Sequence, residues 1–268
     1  NYFFKAGVLR DALVNDALSA NTSHDFGKNV IPALLAEGRS IYVYDFNLNQ
    51  VPGEPEGATP YWRDVGTIDS WFQANMELRS PLPTINLYNR RWRVRTAQRD
   101  YPPARFVRHM GSAPADCIDS LVCEGSIAQS ATLVESVVGY DCFLHAGARV
   151  ERSVLLSGCD IGEGAVIMDA ILDKNCKVEA GATIGVDPVL DRARFPFITE
   201  KGRVVLPKGT VVPAVGPVAF AGDIGYLLER DPATRDAMSA LAGSYEISDW
   251  DRHSFHSAGP RYDDDGGL

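Results

Sequence analysis

Asp64 is the carboxylate best placed to do chemistry, since it lies in the segment YWRDVGT between a Pro- and Gly-rich loop and the start of a predicted helix. Catalytic groups often lie at such a point in open α/β sheets. A carboxylate there could hold Mg²⁺ against phosphate oxygens. Two structural roles compete with this hypothesis, because Asp64 could pair with Arg63 or cap the helix near Thr67. The spacing alone leaves all three roles open.

Two cysteines, Cys159 and Cys176, enclose the acidic stretch CDIGEGAVIMDAILDKNC, which could be a metal loop or a disulfide loop. The chain has five cysteines without paired CxxC spacing, which argues against a structural zinc site and a secreted disulfide scaffold. His253 and His256 lie near two aspartates and could share a metal, but histidines in a polar tail are more often only solvated.

The composition is that of a soluble globular protein, with 45% hydrophobic and 23% charged residues among 268. No apolar run reaches the length of a membrane span. The net charge of −9 predicts no nucleic-acid-binding face, and residues 214–268 alone hold ten acidic and four basic side chains. We expect a reduced, cytoplasmic protein. Because the first residue is Asn1 rather than Met, we also expect a fragment whose true N-terminus is missing.

The middle of the chain carries an internal repeat of seventeen residues. Aliphatic residues recur at spacings of six, five and six, and each has a small residue two positions before it. The aliphatic positions are Ile127, Leu133, Val138, Leu144, Val150, Leu155, Ile161, Ile167, Leu172, Val178 and Ile184. The small positions are Gly125, Ala131, Ser136, Cys142, Ala148, Ser153, Cys159, Ala165, Ala170, Cys176 and Ala182.

This pattern predicts a parallel β-helix of hexapeptides, in which each coil has three short faces and each face points one aliphatic residue into the core. The alternative, a β-sandwich, would need hairpin turns every 8–12 residues, and residues 120–185 contain neither an NG nor a DG turn. Cys142, Cys159 and Cys176 would then occupy one small corner position on successive coils. We predict a buried stack of three reduced thiols.

Strands and helices alternate in the first part of the sequence, which favours an α/β unit. NYFF and IYVYDF, at residues 1–4 and 41–46, have strand composition, whereas residues 7–18 have helical spacing and a second helix ends at Gly38. Thr67 can cap a third helix. The apolar face of that helix would be formed by Ile68, Trp71, Phe72 and Met76.

These patterns divide the chain into four parts. They are part of an α/β domain (1–82), a Pro- and Arg-rich linker (83–115), the β-helix (116–213) and an acidic tail (214–268) with possible helices at 218–230 and 233–242.

Several motifs resemble the bacterial, glycogen-pathway type of the glucose-1-phosphate adenylyltransferase family, also called ADP-glucose pyrophosphorylase. The matching segments are collinear from residue 1 to about 210. They are SHDFGKNVIP (23–32), YWRDVGT (61–67), NLYNRRWRVRT (86–96), PPARFV (102–107), DSLVCEG (119–125) and AILDKN (170–175).

The resemblance implies that residues 1–82 are the C-terminal part of a Rossmann-like nucleotidyltransferase domain, joined to a left-handed parallel β-helix of hexapeptide repeats. It also implies synthesis of ADP-glucose and diphosphate from ATP and glucose 1-phosphate with Mg²⁺, in glycogen formation. Asp64 would be one of two aspartates that coordinate Mg²⁺, and Trp62 would support its loop near the sugar. His24 and Asp25 would face the same pocket, although a structural role for His24 is equally open.

The family forms homotetramers or related heterotetramers, and anionic metabolites control it from a site between the domains. Lys174 matches one basic position of that site, and Lys208 matches another approximately; the alternative for each is a solvated surface lysine. The family's Gly-rich nucleotide loop, its second metal aspartate and its sugar-phosphate Glu-Lys pair do not occur in residues 1–268. We therefore expect this chain alone to be inactive.

Three other functions remain as alternatives. The chain could be a non-catalytic regulatory or scaffold subunit of such an enzyme, which would fit the missing motifs. It could be a β-helix acyltransferase that uses acyl-CoA, with His145 as the general base. It could also be a related nucleotidyltransferase that uses GTP and mannose 1-phosphate, although that group lacks the SHDFG and linker motifs.

Overall fold

The computed structural model describes residues 2–97, 99–214 and 218, which divide between Pro60 and Tyr61 into two compact units. The predicted tail helices and the pair His253 and His256 lie outside the described residues. No helix in the described part of the chain is long and apolar enough to cross a membrane.

The first unit contains two α-helices, α1 (Ala6–Leu18) and α2 (Ile31–Ala36). A π-helical turn (Phe26–Val30) leads directly into α2, and a 3₁₀ turn (Phe46–Leu48) follows it. The chain leaves α2 through Gly38, whose φ of +73° is the left-handed conformation that ends many helices. The prediction of two helices is therefore confirmed.

The two strands predicted in this unit, NYFF and IYVYDF, are wrong, because neither segment is part of a sheet. A strand exists only when its backbone pairs with a neighbour, and the described residues of this unit contain no other strand. The side chains are correspondingly open to solvent, with Phe3 100% exposed and Val43 95% exposed. Strand composition alone could not supply the pairing partner.

The second unit begins with an irregular segment and α3 (Ile68–Glu77). Thr67 caps this helix as predicted, since its hydroxyl accepts a hydrogen bond from the Ser70 N–H at 3.1 Å. Phe72 and Met76 are the buried members of the predicted apolar face, whereas Ile68 is half exposed.

Residues 78–104, most of which belong to the predicted linker (83–115), contain neither helix nor strand in the described part of the chain. The end of that linker belongs to the β-helix, however. Strand β1 (Arg105–Val107) pairs in parallel with a later strand, so the β-helix begins before residue 116. The C-terminal end of the linker was predicted too late in the sequence, because the repeat is interrupted between residues 107 and 116 and periodicity gives no signal there.

The β-helix consists of three parallel sheets whose strands follow one another in turn along the chain. Sheet 1 contains β1, β4 (Ile127–Gln129), β7 (Phe143–Leu144), β10 (Asp160–Ile161), β13 (Lys177–Val178) and β16 (Val211–Val212). Sheet 2 contains β2 (Asp116–Ile118), β5 (Thr132–Val134), β8 (Arg149–Glu151), β11 (Val166–Met168) and β14 (Thr183–Ile184). Sheet 3 contains β3 (Leu121–Val122), β6 (Val137–Val138), β9 (Val154–Leu155), β12 (Ala170–Leu172) and β15 (Val204–Leu206).

The predicted core positions are confirmed from Leu133 to Ile184, where every aliphatic residue and its small neighbour are buried. The first position of each column was assigned one residue too early. Ala128 pairs with Leu144 and is buried, whereas Ile127 is only partly buried. Ser126, rather than Gly125, occupies the first small position. The coil that starts at β4 is therefore one residue shorter than the repeat, and a constant period could not reveal this.

The last coil is interrupted by an insertion between β14 and β15. It contains α4 (Pro188–Arg194), which Asp187 caps by accepting hydrogen bonds from two backbone N–H groups. Arg194 then donates to the carbonyl oxygens of Thr183 and Pro213, so it connects the insertion to the ends of β14 and β16. The insertion lies against the coils that precede and follow it.

The three corner cysteines are free and buried, as predicted. The Cys142, Cys159 and Cys176 thiols each donate a weak hydrogen bond, at 3.3 Å, to a backbone carbonyl of the following coil. Hydrogen bonding with the neighbouring thiols, together with burial, raises the pKa of Cys159. The acidic stretch between Cys159 and Cys176 is thus one coil of the β-helix rather than a metal or disulfide loop.

Candidate functional site

Asp64 lies in the loop that precedes α3, and its side chain is exposed. Its Oδ1 atom accepts a hydrogen bond from the Gly66 N–H at 3.0 Å. The two competing structural roles are excluded, because Arg63 pairs with Glu77 and the helix is capped by Thr67. Within the described residues, the Asp64 carboxylate has no ion-pair partner. It is therefore available for a ligand.

An exposed carboxylate of this kind fits Mg²⁺, a hard cation that is commonly held by one or two carboxylates together with substrate phosphates. No cluster of three or more His, Cys, Asp or Glu side chains that could hold a metal occurs among the described residues. Asp64 would therefore hold a metal together with ligands from outside the described residues, such as the second aspartate that the resemblance implies. Trp62, two residues earlier, is 66% exposed on the same loop.

His24 and Asp25 lie in the first unit, at the start of the π-helical turn. The His24 Nδ1 atom lies 2.7 Å from Asp16 Oδ2, and Asp25 accepts a hydrogen bond from the Lys28 N–H at 2.7 Å. Hydrogen bonds from Thr22 and His24 lower the pKa of Asp16. His24 has a φ of +57°, a left-handed conformation. These contacts support a structural role for both side chains in shaping the turn.

Lys174 and Lys208 lie at the same corner of two consecutive coils, immediately after strands β12 and β15 of sheet 3. Leu172 pairs with Leu206, so the two lysines occupy equivalent positions two residues further on. The Gly209 N–H donates to the Lys174 carbonyl oxygen at 2.8 Å, which fixes this alignment. Both lysines are exposed. The corner therefore presents two positive charges next to each other.

The same corner repeats throughout the β-helix. Its second residue has a positive φ in each coil, and its N–H donates to the corner of the preceding coil. The donors are Asp141, Gly158, Asn175 and Gly209, and the acceptors are the carbonyls of Glu124, Tyr140, Ser157 and Lys174. Lysine occupies the first corner position in the last two of these four coils, so the two adjacent lysines lie near the C-terminal end of the β-helix.

His145, the residue of the acyltransferase alternative, lies on the outer face of sheet 1. Its Nε2 atom is 2.7 Å from Asp160 Oδ1, and its ring contacts Phe143 with the centroids 4.3 Å apart. Lys177 and Glu179 line the open groove beside it. In this groove the His145 ring is hydrogen-bonded to the Asp160 carboxylate, an arrangement that many surface histidines share.

The structure also reveals a surface that the sequence reasoning missed, the seat of α3 on sheet 3. Phe72 and Met76 pack on the outer face of this sheet against Val154 and Ile171. The signal was present, because an outward-facing aliphatic column runs along the same strands. Its members are Val137, Val154, Ile171 and Val205. The sequence reasoning followed only the inward-facing column.

Two family profiles match the chain, each over a different part. The nucleotidyl transferase profile matches residues 1–80, and the profile described as "GlmU-like, C-terminal hexapeptide" matches residues 102–206. The second match agrees with the left-handed parallel β-helix that the repeat and the resemblance predicted. The first assigns a nucleotidyltransferase domain to the N-terminal part, although the two predicted strands are not formed there.

Curated relatives align across both parts. The glucose-1-phosphate adenylyltransferase of Arthrobacter sp. (strain FB24) is 47% identical over 213 residues, which cover 80% of this chain and 46% of the relative. The protein of Corynebacterium jeikeium (strain K411) with the same name is 44% identical over 213 residues, covering 79% and 51%. Glucose-1-phosphate adenylyltransferase 1 of Vibrio vulnificus (strain YJ016) is 40% identical over 212 residues, also covering 79% and 51%.

The chain belongs to the glucose-1-phosphate adenylyltransferase family. It spans about half the length of the curated relatives that it matches. The resemblance predicted from YWRDVGT, SHDFGKNVIP and the linker motifs is thereby confirmed at the level of the family. The nucleotidyl transferase match over residues 1–80 argues against an acyltransferase that consists of a β-helix alone.

Proposed function

We propose that the protein acts in the transfer of the adenylyl group of ATP to glucose 1-phosphate. A phosphate oxygen of the sugar phosphate attacks the α-phosphorus of ATP, the bond from that phosphorus to the β-phosphate bridging oxygen breaks, and diphosphate leaves. The products are ADP-glucose and diphosphate. The observation that carries this proposal is the 40–48% identity to proteins named glucose-1-phosphate adenylyltransferase over about four fifths of the chain.

The chain's own contribution centres on the Asp64 loop. Asp64 would hold Mg²⁺, which when bound neutralises charge on the phosphate oxygens. Trp62 would support this loop at the sugar, because a large exposed ring next to a ligand-binding carboxylate can exclude water and restrict the sugar's position. His24 and Asp25 would contact substrate from a loop of the first unit, which is shaped by their bonds to Asp16 and to the Lys28 N–H.

The paired lysines would bind an anionic metabolite that controls the rate. Lys174 and Lys208 present adjacent ammonium groups at one corner, and a phosphorylated ligand can accept hydrogen bonds from both. Two neighbouring lysines repel each other when the site is empty, so a bound phosphate would relieve this repulsion. Neither charge has an ion-pair partner among the described residues, which keeps both available.

The family resemblance supports two further parts of the proposal. The protein would work in glycogen formation in the cytoplasm, where both substrates occur, and it would assemble as a homotetramer. Light scattering on the purified protein at micromolar concentration tests the assembly directly, and a monomer would contradict it.

The deciding experiment is an assay of the protein expressed from its complete gene, with ATP, glucose 1-phosphate and Mg²⁺. Release of diphosphate together with formation of ADP-glucose is the expected result. GTP with mannose 1-phosphate serves as the competing pair, and faster turnover of that pair would overturn the assignment. Residues 1–268 assayed alone should be inactive, and turnover by this chain would contradict the expectation that further catalytic motifs are required.

A further inference from the structure

Arg203 and Asp69 form an ion pair across 134 residues of sequence. Only 17% of the Arg203 side chain and 15% of the Asp69 side chain are exposed. The Thr199 hydroxyl donates to the same Asp69 oxygen at 3.1 Å, and the Arg203 guanidinium carbon lies 4.1 Å from the centre of the Phe72 ring. Arg203 thus contacts α3 in two ways, through a charge and through a stacked ring.

Arg203 and Thr199 are presented by a single turn in the insertion that precedes β15. The Thr199 N–H donates to the Arg203 carbonyl at 2.9 Å, and the Gly202 N–H donates to the Thr199 carbonyl at 2.8 Å. Gly202 has a φ of +82°, which few other residues tolerate. Because these backbone hydrogen bonds stabilise the turn, the side chains of Thr199 and Arg203 contact α3 from a fixed position.

The loop that carries Asp64 is tied to α3 at both sides. Arg63 pairs with Glu77 in the last turn of the helix, and Thr67 caps the first turn. Asp64 lies between these two attachments, so its location follows that of α3. Asp69 is in the first turn of the helix, where a negative charge also interacts favourably with the helix dipole.

The apolar seat of α3 cannot fix the helix by itself. Phe72 and Met76 pack on a column of aliphatic side chains that repeats along the sheet, and hydrophobic contact is not directional. A small slide or rotation of α3 along such a column would retain most of the contact area. The ion pair and hydrogen bond to Asp69 are directional, and they specify one position.

We propose that Arg203, with Thr199 and Asp69, forms a clamp that positions α3 and thereby sets the location of Asp64. The inference rests on the proposed role of Asp64 as a ligand in adenylyl transfer. In this arrangement Arg203 is a positioning residue of the β-helix unit that acts on the reaction without contacting substrate. Loss of the clamp leaves the β-helix folded and Asp64 displaced.

The test compares Arg203→Ala, Arg203→Lys and Asp69→Asn in the protein expressed from its complete gene. Arg152→Ala is the control, since it removes another Arg–Asp ion pair of the β-helix, the more exposed pair with Asp169. We expect Arg203→Ala to lower kcat about tenfold to a hundredfold, because small displacements of a reacting group have effects of this size. Arg203→Lys should recover part of the loss, and Arg152→Ala should leave kcat within about twofold.

Hydrogen exchange measured by mass spectrometry supplies a readout that does not depend on activity. In Arg203→Ala, backbone amides of residues 61–72 should exchange faster, whereas those of the β-helix coils at 130–180 should not change. Unchanged exchange in residues 61–72 would overturn the clamp, and faster exchange with unchanged kcat would overturn its role in positioning. An inactive wild-type protein would instead overturn the proposed function, while the exchange data would still decide the clamp.

Discussion

The Gly209 N–H donates to the Lys174 carbonyl oxygen at 2.8 Å, so Lys174 and Lys208 occupy the same corner of consecutive coils. Sequence separation had hidden this relationship, because the two lysines are on either side of an insertion that contains α4. Adjacent coils lie about 4.8 Å apart. Two lysines at this spacing can bind one phosphate group together.

The first prediction concerns these two lysines. Lys174→Ala and Lys208→Ala should each raise the concentration of a phosphorylated effector that gives half-maximal response by about tenfold, the equivalent of about 1.4 kcal/mol. The double variant should show less than the product of the two effects, because the residues share one ligand. Steady-state assays of the complete protein with fructose 1,6-bisphosphate, AMP and inorganic phosphate measure the response.

Lys177→Ala is the control for that series, since Lys177 is an exposed lysine on the outer face of a different sheet. It should leave the effector response unchanged. Equal losses of basal rate and effector response in the Lys174 and Lys208 variants would count against a regulatory site at this corner.

Asp64→Asn should lower kcat by about a hundredfold or more, because a lost metal ligand removes several kcal/mol of charge stabilisation. Folding should be nearly unaffected, since an amide oxygen can still accept the hydrogen bond from the Gly66 N–H. Turnover measured as a function of Mg²⁺ concentration, together with thermal unfolding, separates the two effects. Asp160→Asn on the β-helix surface is the control, and an equal loss in both variants would contradict the role of Asp64.

The register of the coil that starts at β4 can be tested by two truncations. Leu144→Ala should reduce the free energy of unfolding by about 2–5 kcal/mol, as large-to-small changes do in packed cores. Ile127→Ala should reduce it by about 1 kcal/mol or less, because Ile127 is only partly buried and Ala128 occupies the core position. Denaturant unfolding of residues 1–268 measures both free energies. Similar losses of stability in the two variants would show that Ile127 occupies a core position.

The buried thiol stack predicts a large difference in cysteine reactivity. In the native protein, an aromatic disulfide reagent should modify exposed Cys117 first, whereas Cys142, Cys159 and Cys176 should react only after denaturant is added. Raising the pH from 7 to 9 should not make Cys159 reactive, since hydrogen bonding with the neighbouring thiols and burial raise the pKa of its thiol. Mass spectrometry of the labelled peptides gives the order, with Cys117→Ser as the control.

The sequence by itself determined the features that repeat or act locally. A period of seventeen residues with an aliphatic and a small residue in each face predicted the β-helix from Leu133 to Ile184, because identical short coils must bury identical positions. Thr67 before an apolar helical pattern predicted the start of α3, since a cap acts within one turn. The collinear motifs predicted the family. All of these signals lie within a few residues of the structure they specify.

Only the tertiary structure decided which groups meet across the chain. It paired Arg63 with Glu77, which leaves Asp64 available, and it joined Arg203 to Asp69 across 134 residues. It also showed that the strands predicted at NYFF and IYVYDF do not form, because a strand requires a pairing partner that strand propensity alone cannot supply. Pairing between distant segments depends on where each is held in space, and no local pattern of residue types contains that information.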